Sequence, residues 1–397
     1  MKALDGLRMI DLTHMLSGPY CGMLLADLGV ETIKVEPPGS GEGTRRLLAG
    51  DARYHRDGMN AYFLTLNRNK KSVTMNLKSS EGLALFYELV RDVDIVLDNF
   101  SAGVTDRLKI GHAHLAAINP RIITCTITGF GESGPARDWP AFDMVAQAMG
   151  GGMTLTGKPG EPQRSGIPIG DLGGGLMGVI GILSAIVARA TTGRGQHVDV
   201  SMLDAQLSLQ NYVATMYAMS GVVPAADANE HPVHVPYNTF PTEDGHIIIA
   251  IITDDFWKNL MTVVPLPELD TEEHHTAAGR RRSRTRINQR LAEVFQTGTK
   301  AHWLERLRAA RIPCAPVNTV ADAVEQPQTL ARNMMVDVNL LTGETVRMPG
   351  NPIKLSETNA ETYSPPPRLG ADTDEVLTTL LGKNEAQLSR LRELGAI

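Results

Sequence analysis

The chain has 397 residues, 42% of them hydrophobic and 21% charged, with a formal net charge of −6 at pH 7. That length exceeds one ordinary domain and supplies ample core to bury, and the acidic balance argues against a bulk electrostatic affinity for nucleic acid. Cys21, Cys125 and Cys314 stand far apart with no CxxC or His/Cys clustering, so neither a disulfide framework nor a zinc site is expected and a reducing cytoplasm fits best.

The first residues, MKALDGLRMIDLTHML, lack a long apolar core and a small-residue cleavage site, which argues against a signal peptide. Residues 7–12 read as a strand, 20–27 as a helix and 31–35 as a second strand, which is βαβ grammar. The pattern recurs as a helix over 81–90 and strands over 94–97 and 122–127, the last ending at Gly129-Phe130-Gly131. A strand over 195–200 and a long helix over 202–219 follow. The fold class expected is therefore α/β, a large Rossmann-like domain with a parallel, doubly wound sheet. Residues 221–235 are rich in Pro, Ala and His and read as a linker. Beyond them come two strands around the Asp244-Gly245 turn within 237–252, helix over 283–310 and mixed structure over 312–338, a smaller α+β domain. A charged helix over 385–394 closes the chain.

The segment Ser165-Gly-Ile-Pro-Ile-Gly-Asp171-Leu-Gly-Gly-Gly175 is the most informative. It sets one carboxylate between a short apolar strand and a glycine run, directly before the apolar stretch 176–188. At the mouth of a helix, free N–H groups and the positive dipole end favour the ionised carboxylate. Asp171 is then either a reactive acid or simply the N-cap, a position Asp favours. The uncharged stretch 172–188 is Gly-rich and at the short limit for a membrane span, and reads as a buried helix whose small residues permit close packing. Gly173-x-Gly175-x-x-Gly178, with Asp199 downstream, formally fits the dinucleotide fingerprint of an oxidoreductase. Against that, Asp171 would repel a pyrophosphate, and the preceding strand is short and not the first of its sheet. A non-enzymatic ligand carrier stands as a further alternative if Asp171 is structural.

Other conspicuous residues point less sharply. Arg280-Arg281-Arg282 with Arg284, Arg286 and Arg290 follows Glu268, Asp270, Glu272 and Glu273, so a solvated helix face is expected rather than a nucleic-acid patch. His14, His231 and His234 have no metal-ligand spacing, and His231 and His234 are cleft-lining at most. Met216, Met219, Met334 and Met335 read as core or interface filler.

Seven co-linear segments together resemble the class III CoA-transferase family, also known as the CaiB/BaiF family: LDGLRMIDLTHMLSGPYCGMLLADLGVETIKVEPPGSGEGTR, NRNKKSVTMNLKSSEG, VLDNFSAGVTDRLKIG, NPRIITCTITGFGESGP, GDLGGGLMGVIGILSAI, TGRGQHVDVSMLDA and IPCAPVNTVADAVEQPQ. The resemblance implies that Asp171 is the catalytic nucleophile. A carboxylate attacking an acyl-CoA thioester expels a good leaving group and leaves a mixed anhydride, then an aspartyl-CoA thioester. Backbone N–H groups around Gly173, Gly174 and Gly175 are candidate oxyanion donors. The resemblance further implies that Ser17, Gly18, Lys78, Asn99, Phe100 and Arg107 line the CoA path and that Asp143 is an acidic position in the cleft. CoA and acyl-CoA are then substrates, with a free carboxylic acid as co-substrate, no permanent cofactor and no metal. Nucleic acid and membrane are not expected partners.

Departures bear on specificity. Leu16 stands where formyl-type members carry Gln, Pro37 where they carry Arg, and their tetraglycine loop has no counterpart beside His231-Pro-Val-His-Val-Pro-Tyr-Asn238. Succinyl-CoA or another short dicarboxyl-CoA is therefore the expected donor. Racemases of the family place a His-Asp pair where this chain has Phe142-Asp143, and without that His one acid/base group for moving an α-proton is missing. By the same resemblance the large domain comprises 1–220 with a C-terminal return over 331–397, the small domain 236–330, and two chains form an interlocked homodimer.

Overall fold

Six short runs of apolar and β-branched residues form the main sheet: β1 (Arg8–Asp11), β2 (Glu31–Glu36), β3 (Lys70–Thr74), β4 (Ile95–Asp98), β5 (Ile123–Thr128) and β6 (His197–Ser201). The computed structural model that contains them describes residues 1–48, 50–226, 228–359 and 361–397. The strand order is β6-β5-β4-β1-β2-β3, with every neighbouring pair parallel. The chain winds outward from β1 in one direction as far as β3, then returns to the other side of β1 and winds outward to β6. This is the doubly wound Rossmann order, and its reversal between β1 and β4 opens a crevice at their carboxyl ends where such sheets take ligands.

Alternation along each strand feeds two cores, one on each face. Ile10, Ile33, Val35 and Val73 pack with Phe86 and Leu89 on one face, joined by Val376, Leu377 and Leu388 from the C-terminal helices Thr373–Leu381 and Glu385–Glu393. Met9, Ile95, Leu97, Cys125 and Ile127 fill the other face with Cys21, Leu25, Val179 and Ile182. Those last four come from helices α1 (Ser17–Asp27) and α3 (Ile169–Thr192); a shorter helix, α2 (Asp143–Met149), precedes α3.

Two local expectations fail in this region. The short strand expected over 165–170 is not formed: α3 begins at Ile169, so Gly173, Gly174 and Gly175 lie inside the helix. Their service is close packing. A methyl group on Gly175 would stand 2.7 Å from the Ser17 carbonyl oxygen, and one on Gly178 2.8 Å from Ile127 Cδ1 and 3.1 Å from Cys21 Sγ. Bare backbone therefore lets α3 lie flush against α1 and β5, where the tertiary packing outweighs the low helix propensity of glycine. The dinucleotide reading goes with the strand, since these glycines form no strand-to-helix turn. Helix α3 is long and apolar enough to cross a membrane, yet its glycine face packs in this unit while Leu176, Ile180 and Val187 on its other side are exposed. The helix expected over 202–219 is two, Met202–Gln210 and Tyr212–Ser220, broken at Asn211 with φ 47°, a conformation Asn tolerates better than most residues.

The chain divides into two compact units. The first comprises Met1–Met153, Arg164–Val222 and Leu330–Ile397; the second comprises Thr154–Gln163 and Val223–Thr329. The second contains a three-stranded antiparallel sheet of Tyr237–Thr242, Gly245–Ala250 and Cys314–Pro316. Phe240, Ile247, Ile249, Trp257, Leu291, Phe295 and Leu307 form its core. Two readings are corrected here. The stretch 221–235 is more than a linker, because Val235 belongs to that core and its carbonyl accepts from Arg280 Nε at 2.9 Å. Arg280 is itself buried rather than solvated, and pairs with Asp254 at 2.9 Å. Its neighbours behave as expected, Arg282 bridging Glu273 and Arg290 bridging Glu268 on the surface.

Candidate active site

At the switch point the loop after β1 is pinned from below. Asp11, fully buried, pairs with Lys70 Nζ at 2.8 Å and accepts the Thr13 N–H at 2.8 Å, while buried Lys34 donates to the Thr13 carbonyl at 2.7 Å. From the β4 side, Asn99 accepts the His14 N–H and donates to the His14 carbonyl, both at 2.8 Å. The loop turns at Met15, whose φ of 63° lies in the left-handed region, and enters α1 at Ser17. Gly18 has a packing reason: a methyl group there would meet Thr13 Cγ2 at 2.5 Å and Asn99 Cγ at 3.1 Å.

Two cavities adjoin above this loop, sharing His14 and Phe100. One, of ≈ 350 Å³, runs past Glu36, Asn76, Lys78 and Leu108. The other, of ≈ 230 Å³, is lined by Ser17, Tyr62, Asn99, Arg137, Phe142 and Asp171, among others. His14 is thus the junction, and burial with nearby Lys34 holds its imidazole down at about 4, neutral at physiological pH. Seven residues inferred by resemblance divide accordingly. Ser17, Asn99, Phe100 and Lys78 line this two-chambered path; Gly18 packs beneath it; Arg107 is exposed at the end of the Val104–Arg107 turn and lines neither cavity. Asp143 stands behind the reactive acid rather than on the cavity wall.

Asp171 occupies the first turn of α3, and its carboxylate has no hydrogen-bond or ionic partner among the described residues. Burial raises it from its ordinary 3.8 to about 6, and the neighbouring Asp143 carboxylate adds to the rise. It does not cap its helix. The N-cap is Pro168, which offers no side-chain acceptor. The cap comes instead from Asp143, whose Oδ1 accepts the Gly170 N–H at 2.8 Å and the Asp171 N–H at 3.3 Å. Its Oδ2 accepts from Gln147 Nε2 at 2.7 Å, and Gln147 Oε1 takes the Ser165 N–H at 2.9 Å. Gly170 is what lets this acid approach, since a methyl group there would stand 3.0 Å from Asp143 Oδ1. The orphan donors of the helix start are thereby satisfied without using the reactive carboxylate. One further expectation is corrected: the N–H groups of Gly173, Gly174 and Gly175 lie within the helix, where they bond carbonyls one turn back and cannot serve an oxyanion.

The sequence reading missed Tyr62, Arg137 and the junction role of His14. Tyr62, in the helix Ala61–Leu66, has its phenol pushed up by burial and then by the charge of Asp171. No spacing signal marks these residues, because each comes from a different segment of the chain, Tyr62 from a helix and His14 and Arg137 from loops. His231 and His234 lie together in the second unit, ring centroids 4.8 Å apart. Met216 and Met219 are exposed, not core.

A Rossmann-type sheet whose switch-point cavity exposes one unpaired, elevated carboxylate has the makings of a covalent acyl-transfer site. The chain matches CoA-transferase family III over residues 4–373. It is 40% identical over 360 residues to an acetyl-CoA:oxalate CoA-transferase of Acetobacter aceti, covering 89% of each chain. It is 35% identical to a succinyl-CoA:mesaconate CoA-transferase of Haloarcula marismortui, covering 95% of this chain and 96% of the other. Among solved structures, a CAIB/BAIF family protein from Brucella suis superposes with a TM-score of 0.84 at 35% identity, covering 96% of this chain and 99% of that one. The chain belongs to CoA-transferase family III and is an enzyme of the CoA-transferase type.

Proposed function

We propose that the enzyme moves CoA between a short acyl-CoA thioester and a dicarboxylic acid through covalent chemistry at Asp171. One observation carries the reading: a half-buried carboxylate raised to about 6, with no counter-ion among the described residues, facing a cavity of ≈ 230 Å³. Desolvation leaves it a stronger nucleophile than an ordinary surface carboxylate, and still ionised at neutral pH. Its oxygen attacks the thioester carbonyl and CoA leaves as thiolate, giving a mixed anhydride. The thiolate then attacks the aspartyl carbonyl and frees the donor acid. The acceptor carboxylate attacks the aspartyl thioester, and the released thiolate takes the new acyl group and restores Asp171. Tyr62, whose phenol feels the charge of Asp171, is placed to donate to oxyanions formed there.

Lys78 and Phe100 line the larger cavity and suit the nucleotide end of CoA, Lys78 as a phosphate partner; Ser17 and Asn99 line the thioester end. Exposed Arg107 would meet CoA only outside the two cavities. The dicarboxylic class draws support from the names of the relatives, whose acids oxalate, mesaconate and succinate each carry two carboxylates. A cytoplasmic homodimer fits the chemistry, and the exposed Leu176, Ile180, Met216, Tyr217 and Met219 offer the apolar surface a partner copy needs.

Hydroxylamine added during turnover with a dicarboxyl-CoA should modify the peptide that contains Asp171. Modification of another carboxylate, or none, sinks the covalent assignment. The racemase alternative is disfavoured by Phe142, which lines the cavity where a proton shuttle is required. A 2-methylacyl-CoA incubated with the enzyme in heavy water should keep its α-proton.

A further inference from the structure

The walls of the Asp171 cavity hold a second charged group with no assigned task. Arg137 lines that cavity and, on its other side, a more polar one bounded by Asp98, Glu132 and His197. Among the described residues lining the Asp171 cavity it is the only permanent cation, since His14 is held neutral. Its Nε is buried with no hydrogen-bond partner among the described residues. Its nearest acid is Asp138, at 4.0 Å and 79% exposed, too distant and too solvated to hold it. Glu132 feels the Arg137 charge but is already bound by His197 at 2.5 Å. The guanidinium lies beside the loop that follows Phe100, Nη2 coming within 3.7 Å of where a methyl group on Gly103 would be. The nearby wall is apolar, formed by Trp139, Pro140, Ala141 and Phe142.

We propose that Arg137 anchors the remote carboxylate of the dicarboxylic substrate and is the residue that separates diacids from monoacids. The inference rests on the dicarboxylate reading above and gives it a structural agent. A diacid joined to Asp171 through one carboxyl must lodge the other in the same small cavity. Against Trp139 and Phe142 alone an ionised carboxylate would be costly to desolvate. A planar guanidinium with unused donors meets it with charge-assisted, bidentate hydrogen bonds. The Arg137 side chain is 40% exposed, so with a monoacid its outer donors stay hydrated, and the discrimination comes from the contact that the diacid alone gains.

The test uses matched acceptors, succinate against butyrate and glutarate against pentanoate, with one acyl-CoA donor and the parent, Arg137→Gln and Arg137→Lys enzymes. The parent should prefer each diacid. Arg137→Gln should raise KM for the diacids by about 10- to 100-fold, the loss of a charged hydrogen-bonded contact, with kcat at saturation and the monoacid KM close to the parent's. Arg137→Lys should recover part of the loss. Equal losses for diacid and monoacid, or a rise in KM for the acyl-CoA instead, overturn the role of Arg137 and leave the dicarboxylate reading standing. A parent that turns over no diacid overturns both. Urea unfolding of each variant keeps a stability loss from passing as a specificity change.

Discussion

Two aspartates at the ligand-binding edge of the sheet, Asp11 fully buried and Asp171 half-buried, are treated in opposite ways. Asp11, at the end of β1, is desolvated, yet Lys34 and Lys70 more than offset that and hold its carboxyl at about 2. Asp171, in the first turn of α3, is desolvated beside another carboxylate and rises to about 6. Burial with a counter-charge yields a structural pin; burial without one yields a reactive base. The pin shapes the loop that carries His14 and Ser17, and the base faces the cavity which that loop borders.

The sharpest way to break the comparison is to neutralise each acid in turn. Asp171→Asn keeps the shape and removes the nucleophile, so CoA transfer should fall by several orders of magnitude, roughly 10³-fold or more, in a protein that folds and binds CoA. A folded variant with near-parental kcat would show the chemistry to reside elsewhere. Lys70→Met should do the reverse. It strands Asp11 in the core and removes the donor to the Pro19 carbonyl and to Asn67, and breaking a buried pair by removing one partner costs about 3–5 kcal/mol. Urea unfolding should register that loss, with residual activity following the folded fraction. A stable Lys70→Met protein would deny that Asp11 needs its partner.

Asp171 also predicts a gain. Its folded-state value lies above its ordinary 3.8, so the native protein binds this proton more tightly than the unfolded chain and loses stability as pH rises from about 4 through about 6. Asp171→Asn has no such penalty. At pH 8 it should be more stable than the parent by about 2–3 kcal/mol, because a tenfold difference in proton affinity between the folded and unfolded chain is worth about 1.4 kcal/mol. The advantage should vanish near pH 4. Parallel unfolding curves at both pH values would remove Asp171 from the class of strained functional groups. Asp11, by its lowered value, stabilises above its ordinary range and loses that contribution only as pH falls toward about 2.

Much of this was legible in the chain. Five of the six parallel strands were legible as short stretches rich in apolar and β-branched residues alternating with helices, but β3 was not, because Lys-Lys-Ser-Val-Thr hides a buried Lys70 whose partner, Asp11, lies on another strand. Asp171 was legible as a lone acid before glycines, and the family resemblance raised it above a cap. The start of α3 was not legible, because Gly173, Gly174 and Gly175 look like a loop until Ser17 and Ile127 are known to press against that helix. Nor was the true cap. Asp143 reaches Gly170 across 27 residues, a contact that only tertiary packing creates. The gathering of His14, Tyr62 and Arg137 is likewise a product of topology, since two sit on separate loops and Tyr62 on a short helix.

Asp143 makes the smallest and most diagnostic case, because it belongs to both regimes at once: it stabilises a helix end and raises the nucleophile. Asp143→Asn can still accept the Gly170 and Asp171 N–H groups through its amide oxygen. Helix α3 should therefore start where it does, with a stability loss of about 1 kcal/mol from exchanging a charged acceptor for a neutral one. The electrostatic effect is separable. Removing a negative charge from beside Asp171 eases its ionisation, leaving burial as the main cause of its elevation. The acid limb of kcat against pH should then move downward by less than about one pH unit, since the neighbouring charge is the lesser of the two causes. The plateau rate should fall modestly, because a less basic carboxylate is a weaker nucleophile. An acid limb that stays in place would mean that Asp143 only positions the helix; one that moves upward would mean that its hydrogen bonds to Gly170 and Asp171 had been holding the nucleophile in its ionised form.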